Sequence, residues 1–191
     1  MRYWNLVRNL KNWDLYLAVK FGLTGRDPLR FVTRSGVRVE APRRLLPTFK
    51  EVFMAEDYRA VRPLPARGPV IVDIGANAGF FSLYAASRHP RARVLAFEPV
   101  PVNFRLLQTN RDLNPEHRLE IFERAVSGKD GTANLTFDPG DAFTTSAHLI
   151  PGPGGQGGVI PVACISLPTL FAENGLNHCD FLKMDCEGAE F

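Results

Sequence analysis

Over residues 70–126 the chain alternates two hydrophobic periods, and this restricts the fold more than any other feature. Runs of β-branched and other apolar residues, VIVDIG, RVLAFEP and RLEIFERAV, are separated by stretches with helical spacing, FFSLYAASRH and VNFRLLQTNRDL. Strand and helix in succession predict parallel strands joined by right-handed helical crossovers, in an open sheet covered on both faces. Downstream, TANLTF and GVIPVACI read as two further strands, SLPTLFAENG as a helix ended by glycine, and CDFLKMD as a strand leading into CEGAEF. The intervening residues 138–158 form a loop rich in glycine and proline, long enough to be mobile or functional.

The front of the chain reads differently. RYWNLVRNLKNWDLYLAVKFG sets Trp4, Val7, Leu10, Asp14 and Leu17, or Leu6, Leu10, Trp13 and Leu17, along one side. Either spacing predicts one amphipathic helix, ended at Gly22 and packed back on its own domain. LRFVTRSGVRVEA alternates around Ser35 and Gly36 as a hairpin does, and TFKEVFMAEDYRAV reads as a short helix. Pro63, Pro65, Gly68 and Pro69 then break all periodicity and mark a linker, which divides an extension (1–68) from a main domain (69–191).

Charge follows the same division. Residues 1–68 hold 14 basic and 6 acidic side chains, and residues 69–191 hold 9 and 14. The basic residues are spread among apolar ones, which describes a solvated surface and gives no reason to expect a nucleic-acid partner. Cys164, Cys179 and Cys186 have no CxxC spacing and the four histidines no paired spacing, so no metal site is expected and a reducing cytoplasm fits. The longest apolar-leaning run, residues 15–23, is interrupted by Lys20 and Gly22 and falls short of the roughly 20 residues a membrane span requires.

The chemistry concentrates where the first strand of the alternating region turns into its helix. Open parallel sheets bind ligands at the carboxyl ends of their strands, and DIGANAG stands at such an end. Gly75 and Gly79 let backbone approach a ligand with no Cβ in the way, and the turn is expected to offer free N–H groups. Asp73 would order the turn or hold a cationic group, and Asn77 suits a left-handed conformation or donation to a carboxylate. Glu98 ends the second strand about twenty residues beyond Gly79, where a carboxylate can accept hydrogen bonds from both hydroxyls of a ribose. Each such bond contributes on the order of 1.5–3 kcal/mol. Turn and acid together point to a nucleoside cofactor. A pyrophosphate favours a turn with no acid crowding it, whereas Asp73 suits a ligand carrying an ammonium or sulfonium centre, so S-adenosyl-L-methionine matches better than a nicotinamide dinucleotide.

With these residues in view, VIVDIGANAGFFSLYAA, FEPVPVNFRLLQTN, AVSGKDGTANLTF and FLKMDCEGAEF resemble the FkbM family of S-adenosylmethionine-dependent methyltransferases. VTRSGVRVEA and FKEVFMAEDY resemble the segment that precedes the fold in that family. The resemblance implies an α/β fold, the Rossmann-like open sheet of the class I methyltransferases, with an N-terminal α+β extension. It implies that Asp73, Gly75, Ala76, Asn77 and Gly79 line the methionine part of the cofactor and that Glu98 holds the ribose. Asn103 would order the second loop, and Ala125 and Val126 would border the adenine. KMDCEGAE matches the third family pattern at Lys183, Asp185, Glu187, Gly188 and Glu190, with Asp185 at the strand end facing the methyl donor.

The expected reaction is O-methylation of a hydroxyl on a small molecule or glycan. Asp185 or Glu187 serves as general base once partial burial raises its pKa, and His148 is a second candidate. A nicotinamide-dependent oxidoreductase and a non-catalytic binding remnant are the alternatives. The remnant has a motive: the family's fold continues past its third signature into a helix and antiparallel strands, which this chain lacks, so a fragment, or a chain completed by self-association, is expected.

Overall fold

The computed structural model describes residues 2–55, 64–137, 148–150 and 158–185. Its centre is a four-stranded parallel sheet, built from β3 (Val70–Ile74), β4 (Arg93–Phe97), β5 (Leu119–Phe122) and β10 (Phe181–Met184), in the order β10-β3-β4-β5. α4 (Phe80–Arg88) and α5 (Pro101–Asp112) make the crossovers between β3, β4 and β5 and cover one face; α6 (Leu167–Glu173) covers the other. The strands are apolar on both sides, as a sheet buried between helices requires: Ile71 and Val94 face α4, while Val72, Ile74, Leu95 and Phe97 meet Leu170 of α6. The alternation over residues 70–126 thus yields the expected Rossmann-like α/β sheet.

RLEIFERAV divides into β5 and β6 (Ala125–Ser127), and β6 joins a second sheet with β7 (Gly131–Phe137), β8 (His148–Ile150) and β9 (Gly158–Ser166), in the order β6-β9-β7-β8. β9 pairs antiparallel with β7 and parallel with β6. GVIPVACI therefore belongs to a side sheet and does not extend the central one. Part of the 138–158 loop is itself strand, β8, and residues 138–147 and 151–157 of that loop lie outside the described residues.

At the front, the expected single helix is two: α1 (Arg2–Asn9) and α2 (Trp13–Lys20). The break has a tertiary cause. Asn12 turns its amide onto β1 (Leu29–Val32), donating to Arg30 O at 2.9 Å and accepting from Val32 N at 2.9 Å, and Leu10 bridges to Thr33. Leu6 and Leu10 are fully buried while Trp4 is exposed, so the face carrying Leu6, Leu10, Trp13 and Leu17 is the inward one. β1 and β2 (Arg38–Ala41) form the expected hairpin. α3 (Leu46–Lys50) follows and widens into a π turn over Glu51–Ala55; residues 56–63, Pro63 of the expected linker among them, lie outside the described residues.

The extension shares one core with the sheet. Phe31, Phe49 and Phe53 meet Phe80 and Leu83 of α4, with Phe31 and Phe49 stacked at 4.4 Å. Two asparagines, Asn110 on α5 and Asn114 just past its end, complete the union. Asn110 accepts from Glu40 N at 2.7 Å and donates to Glu40 O, and Asn114 does the same for Arg38 at 2.9 Å and 2.6 Å. These two side chains thus supply partners to β2 along that edge. Among the described residues no helix is long and apolar enough to cross a membrane.

Candidate functional site

β3 delivers Asp73 and Ile74 to the carboxyl edge of the sheet, and residues 75–79 carry the chain into α4. The turn needs three left-handed positions, Gly75 (φ 75°), Asn77 (φ 50°) and Gly79 (φ 77°), and Asn77 is the one of these with a side chain. Its Oδ1 accepts from Ala78 N at 2.8 Å, which explains the choice of asparagine at that conformation.

Four N–H groups of the turn, those of Gly75, Ala76, Asn77 and Gly79, are taken up within the protein. Gly75 N and Ala76 N both donate to Phe97 O at 3.0 Å, Gly79 N donates to Ala76 O at 2.8 Å, and Asn77 N donates to Glu98 Oε2 at 2.7 Å. Gly79 has a packing reason: a Cβ there would stand 2.4 Å from Leu107 Cδ1 of α5. The absent side chain makes room for a neighbouring helix.

Glu98 is bound into the same arrangement. It is 4% exposed and accepts from Asn77 N, from Val100 N at 2.9 Å and more weakly from Asn103 Nδ2 at 3.4 Å. Burial raises its pKa from 4.5 to about 7, against the lowering effect of those three hydrogen bonds. The glycine turn and the acid, separate motifs in the sequence, are hydrogen-bonded to each other. Ala125 and Val126 are buried nearby; Ala125 packs with Val100 of the loop after Glu98, and Val126 with the α6 face of the sheet.

On the other side of the turn lies a cavity of about 280 Å³, close to the lower end of the roughly 300–1,000 Å³ typical of small-molecule sites. Gly75, Ala76, Asn77 and Ala78 form one wall, and Phe81 and the end of β10 another. Thr48, Glu51 and Val52 of the extension line it as well, and none of them is among the site residues expected from the sequence. β10 pairs with β3 so that Lys183 stands opposite Asp73, and Asp185 N continues the ladder to Ile74 O.

This register assembles an ionic cluster. Asp73 is fully buried; its Oδ2 accepts from Ser82 Oγ at 2.6 Å and its Oδ1 lies 3.4 Å from Lys183 Nζ. Lys183 Nζ also lies 3.2 Å from Asp185 Oδ2 and 5.7 Å from the centre of the Phe81 ring. The chain's own lysine thus meets the expected demand of Asp73 for a cation. The Asp185 side chain is 63% exposed, so the burial expected to tune it as a base is not present here. Glu187, Gly188 and Glu190 lie outside the described residues, and His148 is placed by its backbone alone, on β8 opposite Thr136.

Sheet and turn together define a Rossmann-like α/β domain. The chain belongs to the methyltransferase FkbM domain family, which it matches over residues 73–191. Methyltransferase sdnD of Sordaria araneosa is 31% identical, covering 74% of this chain and 64% of that protein. The 31-O-demethyl-FK506 methyltransferase FkbM of Streptomyces tacrolimicus is 29% identical with the same coverage. The 2-O-methyltransferase NoeI of Sinorhizobium fredii is 30% identical, covering 64% of this chain and 54% of that protein. The chain therefore spans less than two thirds of the length of these relatives.

Proposed function

We propose that this chain carries the cofactor site of an S-adenosyl-L-methionine-dependent methyltransferase acting on a hydroxyl of a small molecule or glycan in the cytoplasm. The observation that carries the reading is the charge of the cavity beside residues 75–78: among the described residues that line it, Lys183, Asp185 and Glu51 are charged, against a wall of small residues. That set fits a ligand end with a carboxylate, an ammonium and a sulfonium, and the nearly side-chain-free wall admits close approach. The cofactor would supply an activated methyl carbon, which leaves with its sulfur retaining the bonding pair.

The chain's residues have the remaining work. Asp73, Gly75, Ala76, Asn77 and Gly79 shape the methionine side. Glu98 holds the ribose diol through lone pairs that Asn77 N and Val100 N leave open; with so little of it exposed, the atoms covering it shift on binding. Asn103 keeps that carboxylate oriented, and Ala125 and Val126 border the base. Asp185 or Glu187 takes the acceptor proton, a role that falls to Glu187 where Asp185 pairs with the cofactor's ammonium. Alignment of donor and acceptor accounts for roughly 7–11 kcal/mol of such a barrier. The names of the Streptomyces and Sinorhizobium relatives, both of which specify oxygen, support a hydroxyl acceptor, and free thiols at Cys164 and Cys179 suit the cytoplasm.

Calorimetry with S-adenosylmethionine, S-adenosylhomocysteine and a nicotinamide dinucleotide tests the cofactor. Binding of the first two is expected; binding of the dinucleotide alone reverses the assignment. Mass spectrometry of cell extract incubated with methyl-labelled cofactor then tests the acceptor, with label expected on oxygen and label on nitrogen or carbon contradicting it.

A further inference from the structure

We infer that Lys183 is the group that holds the carboxylate of the cofactor's amino-acid end, an assignment that rests on the cofactor reading above. A glycine turn at the head of a helix ordinarily receives an anion on its backbone N–H groups. Here Gly75, Ala76 and Gly79 donate to backbone carbonyls and Asn77 to Glu98, so the turn has given those donors to its own scaffold. A ligand carboxylate in the cavity therefore has none of those four amides as its donor. Among the described residues that line it, Lys183 carries the basic side chain.

The surroundings of Lys183 suit this task. Its carboxylate neighbours among the described residues differ in kind: Asp73 is fully buried and tied to α4 through Ser82, whereas Asp185 is largely exposed at the cavity. Asp73 is thus a fixed anchor that keeps the ammonium in place, with the Phe81 ring beside it. Asp185 is an exchangeable partner. Residues two apart along a strand share a face, so Lys183 and Asp185 present opposite charges side by side. A ligand that carries both charges on one carbon can enter between them, its carboxylate on Lys183 and its ammonium on Asp185, and charge then alternates along the row. Lysine suits the role as a compact charge with three donors, able to serve an anchor and a ligand at once.

The test is a calorimetric comparison of S-adenosylhomocysteine, its carboxamide analogue and 5′-methylthioadenosine, on the wild-type chain and on Lys183→Met. In the wild type, replacing the carboxylate by the amide is expected to weaken binding about tenfold or more. In Lys183→Met that difference shrinks to about threefold or less, while 5′-methylthioadenosine, which has no amino-acid end, binds both proteins alike and reports that the site is folded. Equal binding of acid and amide to the wild type overturns the assignment, and this arm needs no variant. An undiminished difference in Lys183→Met overturns it as well. Failure of all three nucleosides to bind the wild type instead overturns the cofactor reading, and the assignment of Lys183 with it.

Discussion

The two sides of the glycine turn satisfy their polar groups in opposite ways. Toward β4, Gly75 N and Ala76 N donate to Phe97 O, and Asn77 N donates to the buried Glu98 carboxylate. Toward β10, Lys183 bridges a buried and an exposed carboxylate at the wall of a cavity. The first side behaves as scaffold that a ligand must join; the second holds charges that a ligand can exchange. Residue types that read as equivalent ligand contacts in the sequence therefore differ in what their removal does.

Glu98→Ala should produce one of the two largest effects. It strands the buried N–H of Val100 and unpairs the half-buried N–H of Asn77, at about 1–3 kcal/mol each, so denaturant unfolding should show a loss of about 3 kcal/mol. Loss under 1 kcal/mol would remove the contrast between the two sides. Gly79→Ala is the other: a positive φ and a 2.4 Å approach to Leu107 combine backbone strain with overpacking, for about 3 kcal/mol. Leu107→Ala in the same chain should recover part of that loss, because the two sites share one contact.

Glu98 also sets a pH dependence whose sign follows from its pKa, raised from 4.5 to about 7. The folded chain binds this proton more tightly than the unfolded chain, so the stabilising contribution is fully present below pH 4.5 and is lost as pH rises through about 7. The unfolding free energy of wild type relative to Glu98→Gln should fall across that window; a flat difference would show the carboxylate to be solvated. The smallest effect belongs to Asp185→Asn. Its side chain is 63% exposed, so stability should change by less than about 1 kcal/mol, while affinity for S-adenosylhomocysteine should fall about tenfold, both read by thermal unfolding with and without ligand.

Legibility in the sequence followed the range of the interactions. The strand and helix order over residues 70–126 is local periodicity, and it reappears as β3, α4, β4, α5 and β5. Asn77 was readable because a left-handed turn position restricts residue type locally. The break between α1 and α2 was not, since it depends on Asn12 meeting β1 some 18 to 20 residues later. Nor were Asn110 on α5 and Asn114 just past its end, which are ordinary until β2 lies beside them. In the site, Asp73, Gly75, Asn77, Glu98 and Asp185 stand around one turn, as the motifs implied. What they bond to was hidden, because Gly79 answers to Leu107 and Asp73 to Lys183 only through strand register and helix packing. Thr48, Glu51 and Val52 reach the cavity through the shared core of the extension, which no spacing encodes.

The most direct test is a crystal structure of the chain with S-adenosylhomocysteine. The amino-acid end should lie against Lys183 and Asp185 and the ribose against Glu98, with Gly75 N and Ala76 N still bonded to Phe97 O. A ligand carboxylate seated on those two amides, with Lys183 turned away from it, would contradict this account of the site.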